Sequence, residues 1–220
     1  MPVVIFDLDG TLIDSAPDIQ AAVNQMLAEE GQGPLDLPTV TGFIGNGLPK
    51  LVERVIDHLG LDMAQHARLT ADTLAIYNSA SAAQTRLYPQ VRETLDTLRA
   101  EGHRLGICTN KPHGPALHVL LQLDLADLFD VVVGGDSTER KKPDPLPLQR
   151  VMDEMKTGQV LYVGDSEIDA ETAVRAGVPF ALFTEGYRKQ PVSDMPHDHA
   201  FDDFADLPRI ARAVFGPSGS

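Results

Sequence analysis

Residues 3–15 read VVIFDLDGTLIDS. Val3 to Phe6 are apolar and mostly β-branched, the composition of a short buried strand. Asp7 and Asp9 follow with only Leu8 between them, and then come Gly10 and Thr11. In extended backbone alternate residues share a face, so the two carboxylates point the same way and Leu8 turns to the core. Like charges 4 Å apart repel by about 4 kcal/mol at an effective dielectric of 20. A buried strand ending in two acids therefore calls for a cation.

Outward from this stretch, residues 105–108, 131–133, 160–163 and 180–183 are short apolar runs of the same character. Most are separated by helical spacing. Val91, Leu95 and Leu98 fall at i, i+4 and i+7. Residues 115–123 are helix-like, residues 146–155 open with prolines suited to a first turn, and residues 168–176 stop before Gly177, a good C-cap. Strands alternating with helices predict an α/β protein with a Rossmann-like parallel sheet and helices on both faces.

One connection breaks the alternation. About a hundred residues separate the first two strands, whereas a crossover needs about a dozen. Ala22, Val23, Met26 and Leu27 form one helical stripe, Leu51, Val52, Val55, Ile56 and Leu59 another, and a third helix is predicted over 63–78. A small α-helical cap over 16–83 is expected, inserted into a core made of 1–15 and 84–215. The final GPSGS, 216–220, reads as a disordered tail.

The chain has 220 residues, 43% of them hydrophobic, a net charge of −14 and one cysteine, Cys108. Such acidity disfavours nucleic acid and anionic lipid as partners. A single cysteine excludes an internal disulfide framework, and no apolar run approaches a membrane span. With no basic leader ahead of the first strand, a cytoplasmic protein is expected, either monomer or homodimer. An anionic substrate would gain nothing from this surface, so the site must supply its own positive charge.

In open parallel sheets ligands bind beyond the carboxyl ends of the strands. There the predicted strands deliver Asp7-Leu8-Asp9-Gly10-Thr11, Thr109-Asn110-Lys111, Gly134-Gly135-Asp136 and Gly164-Asp165-Ser166, with Asp169 one helical turn on. Four carboxylates in one crevice would hold protons or a divalent cation. All-oxygen ligands with room for water and phosphate favour Mg²⁺ over Ca²⁺. Lys142, in KKPDP, suits a phosphoryl oxygen, and Thr109 adds a hydroxyl. Each residue also has a plainer reading. Asp165 fits a helix N-cap, Asp169 a first-turn acid, Thr109-Asn110 a strand-to-loop ending, and one of Lys141 and Lys142 a solvated charge. His113 is the one histidine placed to approach the site.

With these residues assembled, the chain resembles the haloacid dehalogenase superfamily of phosphotransferases over almost its whole length. DLDGT, ICTN, KKPDP and VGDSEID are similar to its four motifs in order and spacing. DGTLIDSAPD, FIGNGLPKLVERV, TNKP, GGD and KKPDPLPL look like its phosphoglycolate phosphatase branch, though sugar-phosphate mutases and pyrophosphatases share much of this. The resemblance implies that Asp7 is the nucleophile and Asp9 the general acid and base. It implies Mg²⁺ on Asp7, the Asp9 carbonyl and Asp165, with Asp169 behind them. Gly10, Thr11, Thr109, Asn110 and Lys142 would handle the phosphoryl group. In the cap, Gly45, Asn46, Gly47 and Arg54 would meet the rest of a small phosphorylated metabolite, Arg54 pairing with a substrate carboxylate or with a neighbour such as Glu53. Lys50, the one cap lysine, would suit a Schiff base, but Asp9 speaks against that chemistry. Glu167 and Glu171 add acid beside the fourth motif. A sensor that binds phosphate ligands without turnover is the non-enzymatic alternative.

Overall fold

A computed structural model describes residues 1–79 and 83–216. The elements run β1 (Val3–Phe6), β2 (Ile13–Asp14), α1 (Ala16–Glu29), α2 (Leu37–Phe43), α3 (Leu48–Leu59), α4 (His66–Ser79), β3 (Arg86–Leu87), α5 (Val91–Ala100) and β4 (Arg104–Cys108). They continue with α6 (His113–Gln122), β5 (Val131–Val133), α7 (Leu146–Met155), β6 (Val160–Gly164), α8 (Glu167–Ala176), β7 (Phe180–Phe183), β8 (His199–Phe201) and α9 (Leu207–Phe215). Six strands form one parallel sheet in the order β5-β4-β1-β6-β7-β8.

The central place of β1 follows from its side chains. Val4 and Phe6 pack with Leu105, Ile107 and Val163 on one face, while Val3 and Ile5 pack with Cys108, Tyr162 and Leu182 on the other. All four β1 side chains are fully buried, and each such burial stabilises the fold by about 1.5–3 kcal/mol. A strand apolar on both faces has its place inside a helix-covered sheet. Leu8 joins the first of these clusters, as its alternation with Asp7 and Asp9 requires.

Helices α1 to α4 share a third cluster built from Val23, Met26, Leu27, Val52, Val55, Ile56 and Leu69. The expected third helix begins later than its pattern suggested, because a 3₁₀ turn occupies Met63–Gln65. Two small elements were not anticipated. β2 and β3 pair antiparallel where the chain leaves for these helices and where it returns. Next to them the buried Asp18 carboxylate accepts from the backbone N–H groups of Gln84 and Thr85 and from the Thr85 hydroxyl, at 2.6–3.2 Å. β8 and α9 were also unassigned, although Leu207, Ile210 and Ala211 carry helical spacing and are buried. The expected tail lies outside the described residues beyond Gly216. Among the described residues no helix is long and apolar enough to cross a membrane.

Candidate active site

The carboxyl ends of β1, β4 and β6 bring the sequence's candidates to one edge. The Asp7 amide donates to Val163 O at 2.9 Å, continuing the β1–β6 ladder one residue past the strand and fixing where its carboxylate emerges. Oxygens of Asp7, Asp165 and Asp169 lie within 4.8 Å of one another. Asp165 accepts from the Thr11 hydroxyl at 2.7 Å and from the Tyr187 amide at 2.6 Å. Gly10 passes so close that a Cβ there would sit 2.5 Å from Asp165 Oδ2, and its φ of +86° is itself glycine's territory.

Asp169 occupies the third position of α8 and forms a capping box with Ser166. Its Oδ2 accepts from the Ser166 amide and hydroxyl, and its Oδ1 from Lys142 Nζ and the Tyr162 hydroxyl, both at 2.7 Å. Asp169 is thus both the helix cap and a member of the carboxylate cluster.

Lys142 is buried and Lys141 exposed, which resolves the pair. Lys142 Nζ lies 2.7 Å from Asp169, 2.9 Å from the Tyr162 hydroxyl and 3.0 Å from Asp7 Oδ1. The last contact is an ion pair without hydrogen-bond alignment, so the buried Asp7 Oδ1 receives no hydrogen bond. Burial pushes the Asp7 carboxyl up to about 6 despite the opposing pull of Lys142, with Asp169 adding to the rise. Burial, with Asp169 and Asp7 close by, pushes Asp165 well above the usual carboxylate range. Burial works on Asp169 too, but Lys142 and the hydrogen bonds from Ser166 and Tyr162 outweigh it and hold Asp169 low. The cluster as it stands is short of positive charge. A hard divalent cation fits: oxygen donors only, one of them orphaned, two carboxyls held above their ordinary values.

Asp9 lies apart from this cluster. Its Oδ1 accepts from the Ser15 hydroxyl at 2.5 Å and from Lys111 Nζ at 3.0 Å. Lys111 also donates to the Tyr77 hydroxyl of α4 at 2.8 Å. Burial alone would lower the Lys111 ammonium, but Asp9 and Tyr77 more than reverse this and keep it charged. The reading of the sequence gave no role to Lys111, Tyr77, Tyr162, Tyr187 or Ser15. Of these only Lys111 carried a signal, its place in Thr109-Asn110-Lys111.

A cavity of about 60 Å³ opens over Asp7, Asp9 and Thr109 and extends toward Gly45, Gly47 and Tyr77. The Asn110 side-chain amide donates to the carbonyls of Lys142 and Gly45 and its oxygen accepts from the Lys142 amide, all at 3.0 Å, so this side chain ties motif to motif and both to the glycine loop. Thr11 is fully buried, with its hydroxyl on Asp165 rather than in the cavity. Arg54 donates to Phe43 O and Asn46 Oδ1, both at 2.7 Å, and so braces the loop from behind. Glu53 pairs with Lys50 instead. His113 donates its amide to Asp136 and does not border the cavity. Glu171 pairs with Arg175 on the surface, and Glu167 accepts from the Lys189 amide.

Residues 4–183 match the haloacid dehalogenase-like hydrolase family. The chain belongs to that family. It is a hydrolase, 50% identical over 216 residues to a phosphoglycolate phosphatase of Cereibacter sphaeroides, covering 97% of this chain and 99% of the relative. A phosphoglycolate phosphatase of Rhodospirillum rubrum is 44% identical over 93% of this chain and 88% of its own. A crystal structure described as a predicted phosphoglycolate phosphatase from Haemophilus somnus superposes with a TM-score of 0.90 at 32% identity, over 96% of this chain and 97% of the other.

Proposed function

We propose that the protein is a Mg²⁺-dependent phosphatase that hydrolyses a small phosphomonoester, 2-phosphoglycolate, through an aspartyl-phosphate on Asp7. The observation that carries this reading is Asp7 Oδ1: a buried carboxylate oxygen with no hydrogen bond, beside a buried ammonium, at the floor of a cavity. The relatives named phosphoglycolate phosphatase support the choice of substrate.

Asp7 attacks phosphorus, and the bond from phosphorus to the ester oxygen breaks. Asp9, on the same side of the strand end and bordering the same cavity, gives its proton to the departing alkoxide. It then takes a proton from the water that attacks the phosphorus of the acyl phosphate, which frees inorganic phosphate and restores Asp7. Lys142 balances the charge of the nucleophile and the non-transferred oxygens, and the Thr109 hydroxyl helps hold them. Asp7, the Asp9 carbonyl and Asp165 would hold the metal, with Asp169 keeping Lys142 and the Ser166 turn in place. When bound, Mg²⁺ supplies charge neutralisation to the phosphoryl oxygens.

Residues 16–83 act as a cap over a core formed by 1–15 and 84–215, and the Gly45–Gly47 loop closes over the substrate. The test is phosphate release from a panel of small phosphorylated metabolites, with Mg²⁺ and with EDTA. Metal-dependent release, strongest for 2-phosphoglycolate, is expected. A hexose 1-phosphate converted to its 6-phosphate would instead mark a mutase, and no release from any ester would mark a phosphate sensor.

A further inference from the structure

A substrate with a carboxylate needs a second cation, distinct from the one that serves the phosphoryl group. Arg54 does not fill this role, because its guanidinium is engaged by Phe43 and Asn46 and does not border the cavity. Among the described residues that line the cavity, one is cationic: Lys111. Its side chain is 5% exposed, and its Nζ lies 3.0 and 3.3 Å from the two Asp9 oxygens, 2.8 Å from the Tyr77 hydroxyl and 4.5 Å from the centre of the Tyr77 ring. The neighbouring walls are apolar, from Ile19, Leu48, Leu51 and Leu74.

We propose that Lys111, assisted by the Tyr77 hydroxyl, is the subsite that binds the carboxylate of the substrate and so selects a short α-phosphoryloxy acid. The proposal rests on the phosphatase reading above and adds to it the residue that sets specificity. Asp9 serves the ester oxygen, and Lys111 is one hydrogen bond from Asp9. In a glycolic acid ester a single methylene separates that oxygen from the carboxyl group. A carboxylate so placed falls within reach of Lys111 while Asp9 engages the ester oxygen, and a longer chain would carry it past. Electrostatics points the same way. A buried ammonium requires an anion, which Asp9 now provides. When Asp9 leaves Lys111, takes up a proton from solvent and turns to the ester oxygen, a substrate carboxylate takes its place on Lys111, and a neutral group leaves the ammonium without a partner. Tyr77 belongs to α4, so the same contact ties helices α1–α4 to the reacting end of the substrate.

The experiment compares kcat/KM for 2-phosphoglycolate and for ethyl phosphate, in which a methyl replaces the carboxylate, in wild type, Lys111→Met and Tyr77→Phe. Wild type should prefer 2-phosphoglycolate, and Lys111→Met should reduce that preference by at least about ten-fold, mainly through KM. Tyr77→Phe should reduce it less, in the same direction. Equal loss on both esters would overturn the proposal and leave Lys111 as a support for Asp9 alone, with the phosphatase reading intact. Wild type acting equally on both, or on neither, would overturn the substrate reading and this inference together. If circular dichroism shows that Lys111→Met does not fold, Tyr77→Phe decides: a reduced preference supports the subsite and an unchanged one overturns it.

Discussion

The Tyr187 hydroxyl donates to Asp14 Oδ1 at 2.6 Å and joins the β7 side of the sheet to the segment that leads into α1. The same oxygen accepts from the amides of Ser15 and Ala16 at 2.8 and 2.9 Å, which satisfies two of the free N–H groups at the start of α1. The Tyr187 amide holds Asp165. One residue therefore links the entry to the helical insertion with the carboxylate cluster.

Tyr187→Phe removes the hydroxyl and leaves the amide. Stability should fall by about 1–3 kcal/mol, the cost of orphaning partly buried donors. Urea unfolding measures this loss, and magnesium titration of the variant should show nearly unchanged affinity, because Asp165 keeps its backbone donor.

Lys142→Met leaves Asp7 and Asp169 buried without their cation. Initial rates should drop about a thousand-fold, and metal-free stability by about 3–5 kcal/mol. Lys142→Arg should not rescue the rate, because the fully enclosed Nζ serves three partners and a planar guanidinium cannot take its place.

Added Mg²⁺ should raise the melting temperature at pH 7.5, measured by differential scanning fluorimetry on metal-free protein with no substrate present. Burial pushes Asp7 up to about 6 and Asp165 well above the usual carboxylate range, so these two groups hold protons more tightly in the folded state than in the unfolded chain. Metal-free stability is therefore penalised above about pH 6 and recovers as pH falls and protons neutralise the cluster. The stabilisation by Mg²⁺ should shrink in step below pH 6.

His103 is buried, both its ring nitrogens lack hydrogen-bond partners, and burial lowers its pKa, with Arg212 adding to the effect and Glu101 opposing it. The unfolded chain protonates near pH 6.5 and the folded one lower. The stabilisation from a neutral ring is present above pH 6.5 and lost as pH falls through the lowered folded-state pKa. Urea midpoints of wild type and His103→Leu, compared from pH 8 to pH 5, should show wild type losing stability relative to the variant over the acidic part of that range.

Much of this was legible in the chain itself, for identifiable reasons. β1 is apolar at every position, so its burial could be read directly, and Asp7 and Asp165 stand just past strand ends, while Lys142 was marked by its KKPDP motif in the loop between β5 and α7. Short or paired elements were harder to see. The two-residue β2–β3 ribbon has no periodicity, and β8 is three residues long. The tyrosines were invisible because each acts through a distant partner: Tyr187 is 173 residues from Asp14, and Tyr77 is 34 from Lys111. Arg54 shows the converse, a residue chosen for its charge whose donors face a neighbouring loop.

The central claim is that Asp7 carries the phosphoryl group. Asp9 is both the acid that releases the alkoxide and the base that activates water, so the species to trap is the wild-type protein in turnover. Rapid acid quenching of wild type with Mg²⁺ and saturating 2-phosphoglycolate, followed by intact-mass analysis and peptide mapping, tests the claim most directly. The account predicts one added phosphoryl group on the peptide containing Asp7 in a fraction of the quenched molecules, absent in Asp7→Asn. Turnover that persists in Asp7→Asn, or a phosphoryl group on any other side chain, would contradict it.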